Sequence, residues 1–264
     1  MIRLFISLIA LSFVLGAAPP SAAADWRDQG PRALVMSYRV APTARVLFKD
    51  RVRAGLLPRL EALRVSGDLD SYHVLISRYV DAGAWDLMVI LNFHSSEALA
   101  SWRDVEASAP AGLDAKSLSL VSQVESAPAN LVRESPVAKA DATPPVYLVV
   151  PYDYVVSTDD YLTYVDGYLV PQVEGWRADG ALASYGVYLA RYYPARPWSS
   201  MLLLAYRGDE GLARRDAVVK AVRTRLSSSP EWKKFADNKA TVRTEKLAVV
   251  ADELQIATPG KSGR

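Results

Sequence analysis

The chain has no cysteine among its 264 residues and only two histidines, His73 and His94. Without a thiol there is no cysteine nucleophile, zinc–thiolate site, iron–sulfur cluster, disulfide frame or lipidated N-terminal cysteine. Two histidines cannot build a three-histidine metal site. The carboxylates show no cluster at ligand spacing either, since Asp68/Asp70 and Asp159/Asp160 read as loop pairs. Also missing are G-x-G-x-x-G, a Walker loop, H-E-x-x-H and G-x-S-x-G. No metal and no cofactor is therefore expected, although a single histidine suffices as an axial ligand and leaves haem open. Charge of one sign is scarce as well. Thirty-one Lys and Arg against 29 Asp and Glu leave a net +2, no basis for a nucleic-acid partner.

Long apolar runs are absent after the N-terminus. Met1-Ile2-Arg3 is a short positive start, Leu4 to Leu15 is apolar apart from two serines, and Ala22-Ala23-Ala24 precedes Asp25. That is the three-part pattern of a secretory signal, and the run is shorter than the roughly 20 residues that span a bilayer. Residues 1–24 are expected to be removed, leaving a periplasmic or secreted protein with no transmembrane segment in the mature chain.

What is present is a repeat. At an offset of 113, Gly67-Asp-Leu-Asp-Ser-Tyr72 lies over Gly180-Ala-Leu-Ala-Ser-Tyr185, and Arg78-Tyr79 over Arg191-Tyr192. Trp85, Met88 and Leu91 fall on Trp198, Met201 and Leu204; Leu56, Pro58, Glu61 and Arg64 fall on Leu169, Pro171, Glu174 and Arg177. The expected organisation is a signal at 1–24, one unit at 25–140, a second at 141–256 and a flexible tail at 257–264.

Each unit reads in the same order. A short β-rich run (Val35 to Val40; Val146 to Val150) precedes a helical stripe, Phe48, Val52, Leu56, Leu60, Leu63 or Tyr161, Val165, Leu169, Val173, Trp176. Ser157 or Thr158 is placed to cap the second helix, and Pro58 and Pro171 are expected to kink or break the two helices at equivalent points. Strands follow at 72–80 and 86–93, and at 185–193 and 199–206. Helix returns at 96–105 and 209–226, and extended chain closes each unit at 131–138 and 241–254. The order β-α-β-β-α-β is the ferredoxin-like plan, α+β with both helices on one sheet face. Two such tandem units can cover their bare faces by packing sheet to sheet as an intrachain α/β barrel. The chain thus resembles the dimeric α/β-barrel superfamily, closest in pattern to NIPSNAP and EthD-like proteins through its proline-containing helix, Gly-x-Leu and Arg-Tyr strand end. Fusion in one chain implies a monomer.

Alternation divides the second strand of each unit into two faces. Tyr72, Val74, Ile76 and Arg78, with Tyr185, Val187, Leu189 and Arg191, suit packing under helices. His73, Leu75, Ser77 and Tyr79, with Gly186, Tyr188, Ala190 and Tyr192, suit a cavity wall. The resemblance implies ligand binding on this inner face. His73 is accordingly the candidate catalytic base, with Tyr79, Tyr188 and Tyr192 as ligand contacts and Tyr38 and Tyr152 as neighbours from the first strands. Arg78 and Arg191 form either a clamp for an anionic ligand or structural pairs with Glu61 and Glu174; the pairing is the favoured reading. Trp85 and Trp198 read as core or barrel-lip packing. The signal pattern implies export, and the resemblance implies that the protein binds a small hydrophobic or aromatic molecule, with cofactor-free monooxygenase- or cyclase-type activity. A non-catalytic envelope carrier or sensor, or a structural interaction protein, is the alternative.

Overall fold

The computed structural model describes residues 27, 29–135, 143–194 and 196–255. The signal segment, the cleavage point before Asp25, residues 136–138 of the first closing stretch, Asp141 at the unit boundary and the tail at 257–264 lie outside the described residues. Strand β1 (Ala33–Val40) is followed by helix α1 at 45–66, then β2 (Leu69–Ser77) and β3 (Leu87–Phe93). Short helices α2 (Ser96–Ala100), α3 (Trp102–Ser108) and α4 (Ala115–Leu118) lead to β4 (Val121–Glu134). The second half runs β5 (Val146–Tyr154), α5 at 158–178, β6 (Leu182–Ala190) and β7 (Ser200–Tyr206). Helices α6 (Gly208–Ala213), α7 (Arg215–Leu226) and α8 (Pro230–Val242) precede β8 (Arg243–Glu245) and β9 (Val249–Glu253).

The pairing is antiparallel throughout, in the order β7-β6-β4-β1-β3-β2-β9-β5-β8, and β5 also pairs with β7. Eight strands therefore close into a barrel, with short β8 continuing the edge of β5 beyond β9. The first-half strands lie in the order β4-β1-β3-β2 and the second-half strands in the order β9-β5-β7-β6. Two seams join them: β2 to β9, with Ser77 opposite Ala251, and β4 to β6, with Leu131 opposite Tyr188. Closure removes exposed sheet edges, so contact is edge to edge around a barrel wall and not one flat sheet stacked on another.

Each long helix is amphipathic, as its stripe requires. Phe48, Val52, Leu56 and Leu60 are buried over the first half; Tyr161, Val165, Leu169 and Val173 are buried over the second. Each such side chain contributes about 1.5–3 kcal/mol on burial. Pro58 and Pro171 do not break the helices. A single π-turn precedes each proline, Val52–Leu56 in α1 and Val165–Leu169 in α5. Widening the helix by one residue makes room for a ring that would strike the carbonyl four residues back in a regular α-helix. The Ser157 hydroxyl accepts a hydrogen bond from the Asp160 amide and caps α5. Both helices end on Gly67 and Gly180, in the left-handed conformation that glycine adopts freely.

Several element boundaries differ from the sequence reading. The strands expected at 72–80 and 185–193 begin and end three residues earlier, each with a register irregularity near its start. β4 begins at Val121, ten residues before the expected stretch, and α8 is an extra helix in a stretch to which the sequence reading assigned no element, running two residues into the extended chain expected from 241. The core has three parts. Two lie between helices and barrel, one in each half. The third fills the barrel with Val35, Leu75, Ile90, Tyr188, Ala190 and Val249, among others. Trp85, Trp198, Met88 and Met201 are buried in this interior cluster and plug one end.

Candidate functional site

The interior is not filled at the other end. A cavity of about 590 Å³ opens where β2, β5 and β6 begin and β3, β4 and β7 end. Its wall is mostly apolar, with Leu131, Leu203 and Ala205 on it, and one group of its polar side chains is interlinked.

That group is built at the β2–β9 seam. His73 on β2 and Tyr147 on β5 line the cavity, and Glu253 on β9 reaches both. His73 Nδ1 lies 2.7 Å from Glu253 Oε1, and the Tyr147 hydroxyl donates to Glu253 Oε2 at 3.0 Å. The Tyr147 hydroxyl is also 3.5 Å from His73 Nδ1, and the two rings meet edge to face with centroids 5.5 Å apart. Burial, with the nearby Glu253 carboxylate, pushes the Tyr147 pKa up. Tyr147 thus stays a donor at neutral pH, and a carboxylate that already accepts from it is suited to accept Nδ1–H of the imidazole. This tautomer leaves His73 Nε2 as the acceptor on a residue that lines the cavity. Glu253 itself borders a shallow outer groove with Glu61, Arg64 and Tyr72, so it stands between the cavity and solvent.

A second polar group is more fully buried. Asn92 on β3 donates to Ser71 Oγ at 2.9 Å and to the Tyr188 hydroxyl at 3.3 Å, while its Oδ1 is buried without a partner. Tyr188 is fully enclosed, and burial pushes its pKa up to about 12. Opposite His73, the equivalent position is Gly186, where an added Cβ would come within 3.2 Å of Leu131 Cδ1 and Tyr188 Cε2. The missing side chain helps keep the cavity open on that side.

Of the sequence-derived candidates, His73 and Tyr188 meet at this cavity. Tyr79 and Tyr192 do not. They fall past the ends of β2 and β6, where they are 67% and 66% exposed. Tyr38 and Tyr152 occupy the opposite strand face, beneath the helices. Tyr38 donates to the Ala111 carbonyl, and the Arg243 guanidinium lies 3.7 Å from the centre of the Tyr152 ring. Arg78 does not pair with Glu61; it bonds to Asp252 and Asp209, tying β2 to β9 and to α6. Arg191 donates to the Arg27 carbonyl. Glu61 and Glu174 instead pair with Arg64 and Arg177, one helical turn away. Tyr147, Glu253 and Asn92 were missed by the sequence reading. Alternation along β5 was the available signal for Tyr147, since Leu148, Val150 and Tyr152 share the helix-facing set.

No group of three or more His, Cys, Asp or Glu that could hold a metal occurs among the described residues. His73, with Glu253 at its Nδ1, is a cavity residue whose imidazole could hold a haem iron, and the phenols of Tyr147 and Tyr188 also line the cavity. No helix among the described residues is long and apolar enough to cross a membrane.

Comparison with known proteins gives no matching family model and no matching curated protein. Solved structures do match. A candidate monooxygenase from Lactobacillus acidophilus superposes with a TM-score of 0.55 at 13% identity, covering 88% of this chain and 98% of that one. Another, from Fusobacterium nucleatum, gives 0.57 at 11%, covering 88% and 96%. An anthrone oxidase-like protein gives 0.50 at 11%, covering 84% and 90%. At such identities the likeness is one of fold: the chain has an α+β architecture similar to that of the dimeric α/β-barrel, ferredoxin-like proteins.

Proposed function

We propose that the chain is an exported protein of two fused ferredoxin-like units, bounded as the repeat suggests at 25–140 and 141–256. On this reading it binds a small hydrophobic or aromatic molecule in the barrel cavity and deprotonates it with His73. The observation that carries this reading is the His73–Glu253–Tyr147 group at the wall of a mostly apolar cavity. An apolar pocket with a few convergent polar groups selects a ring-sized ligand and orients it. His73 Nε2 takes the proton, Glu253 steadies the imidazolium that forms, and Asn92 with Tyr188 meets a second polar group on the ligand. Glu253 also gives the proton a way out, because it borders the outer groove. The proline-containing helices keep the NIPSNAP or EthD-like resemblance within this proposal.

The structural likeness to an anthrone oxidase-like protein suggests a probe. Anthrone with dioxygen gives anthraquinone and water once an acidic C–H proton is removed, and the base is the part this chain supplies. Oxygen uptake by the full chain with anthrone is expected, accompanied by ligand-induced change in tyrosine and tryptophan fluorescence. His73→Ala is expected to lower turnover about 10²–10⁴-fold while leaving the fluorescence change. Binding without uptake in the wild type would make the protein a carrier or sensor. A haem absorbance band that shifts in His73→Ala would contradict the cofactor-free reading.

A further inference from the structure

Two hydroxyls of the cavity wall hold a proton that no described residue accepts. Asn92 donates through its amide nitrogen to both, at 2.9 Å to Ser71 Oγ and 3.3 Å to the Tyr188 hydroxyl. An amide nitrogen carries two hydrogens, so each oxygen receives one and keeps its own O–H to donate. Ser71 and Tyr188 both line the cavity, and neither donates to any described residue. Tyr147 differs in this respect, because its proton goes to Glu253. Burial keeps Tyr188 protonated at neutral pH, so it remains a donor.

The topology sets this pair beside the base. Ser71 and His73 are two residues apart on one face of β2, about 7 Å along the strand. Ser71 pairs with Asn92 and His73 with Ile90, so Asn92 is a diagonal neighbour of His73. Tyr188 comes from the opposite wall, since β6 lies four strands from β2 in either direction around the barrel. Its hydroxyl nevertheless ends at Asn92, next to β2. One acceptor, His73 Nε2, and two donors thus border the same space. This set is complementary to a ketone with an acidic C–H on the adjacent carbon. Loss of that proton puts negative charge on the ketone oxygen, and donors already fixed in a water-poor wall stabilise it without reorganising. A ligand whose sole polar group is an acidic O–H would occupy His73 and leave both donors unpaired.

We propose that Ser71 and Tyr188 donate hydrogen bonds to the oxygen of an enolisable ring ketone while His73 removes a proton from the carbon beside the carbonyl. The proposal rests on the base assigned to His73 above and names the second polar group of that ligand. The C–H electron pair becomes the C=C bond of the enolate, the carbonyl π pair moves onto oxygen, and the proton rests on His73 Nε2. Return of a proton to the same carbon closes a cycle that needs no dioxygen, so the chain should catalyse hydrogen exchange with solvent. Loss of the C1 proton signal of 2-tetralone in D2O under nitrogen, followed by NMR with the full chain, tests this. Exchange faster than in buffer is expected of the wild type, and near-buffer exchange of His73→Ala. Tyr188→Phe and Ser71→Ala are each expected to lower kcat about 10²-fold with KM little changed, because the donors act on charge that forms after binding. Circular dichroism checks folding, and Ser71→Ala, at a half-buried position, decides the matter if Tyr188→Phe does not fold. Exchange lost in His73→Ala but kept in the folded donor variants would overturn the donor pair and leave the base standing. Exchange that survives in His73→Ala would overturn the base, and this proposal with it. Wild-type exchange no faster than in buffer would overturn the proposal alone, since oxygen uptake with anthrone judges the base separately.

Discussion

Glu253 acts on a ligand through His73, whereas Tyr147 lines the cavity beside it, and their contributions can be separated. Glu253→Gln keeps the shape but replaces a carboxylate that accepts Nδ1–H by an amide that can present a donor, so the imidazole loses its fixed tautomer. Turnover in the anthrone assay is expected to fall about 10²-fold or more, with ligand affinity little changed. Tyr147→Phe removes one donor to Glu253 and should cost less, since the His73–Glu253 contact at 2.7 Å remains. His73 was legible because strand alternation put it on the cavity face. Glu253 was not, because its contact spans 180 positions of sequence and exists only where β9 closes on β2. Tyr38 and Tyr152 show the opposite failure. Each belongs to the larger apolar set of its strand, the set that seeks the helices, and that set outweighs the chemistry of a phenol.

The long helices were readable from their stripes, but the way proline is accommodated was not. Periodicity places Pro58 and Pro171 inside helices and says only that a regular α-helix cannot continue. That a π-turn absorbs each ring follows from tertiary packing on both sides of it. The two turns carry unlike glycines. An added Cβ at Gly167 would lie 2.2 Å from Phe235 Cε2 of α8, whereas at Gly55 the nearest atom is Asp114 Oδ2 at 3.7 Å. Gly167→Ala is expected to destabilise by about 1–3 kcal/mol through overpacking. Gly55→Ala should be neutral or stabilising by up to about 1 kcal/mol from helix propensity. Thermal unfolding of the two variants checks the contrast, and equal shifts would argue against α8 packing on the π-turn. The strand ends erred for a related reason. The shared Arg-Tyr pair looked like strand continuation, but both tyrosines lie beyond the last paired residue.

For the whole molecule, the repeat made the order of elements legible, whereas the closure of the barrel rests on two seams that no local pattern announces. The absence of native cysteine makes the first seam testable. Ser77→Cys with Ala251→Cys joins opposed positions on β2 and β9, and mass spectrometry of the oxidised variant should find the bridge within one chain. Bridges found only between chains would contradict an intrachain barrel and the monomer expected with it. Alkaline pH probes the same packing. Burial raises the pKa of Tyr161, Tyr188 and Tyr206 to about 12, against about 10 in the unfolded chain. Each therefore contributes stability that is complete below pH 10 and lost as pH rises toward 12, because the unfolded state releases its protons first. Melting temperature should fall across that window, with most tyrosinate absorbance appearing only on unfolding.

The central claim is that His73 is a ligand-facing base held by Glu253, and nitrogen-detected NMR of the two imidazoles tests it directly. Without ligand, His73 should show the Nδ1–H tautomer, and Glu253→Gln should disturb it. On adding 2-naphthol, a phenolic probe of ring size, the Nε2 signal should move toward the imidazolium position while His94 stays unchanged. An Nε2–H tautomer at His73, or a His73 signal indifferent to a probe that binds the chain, would contradict the account.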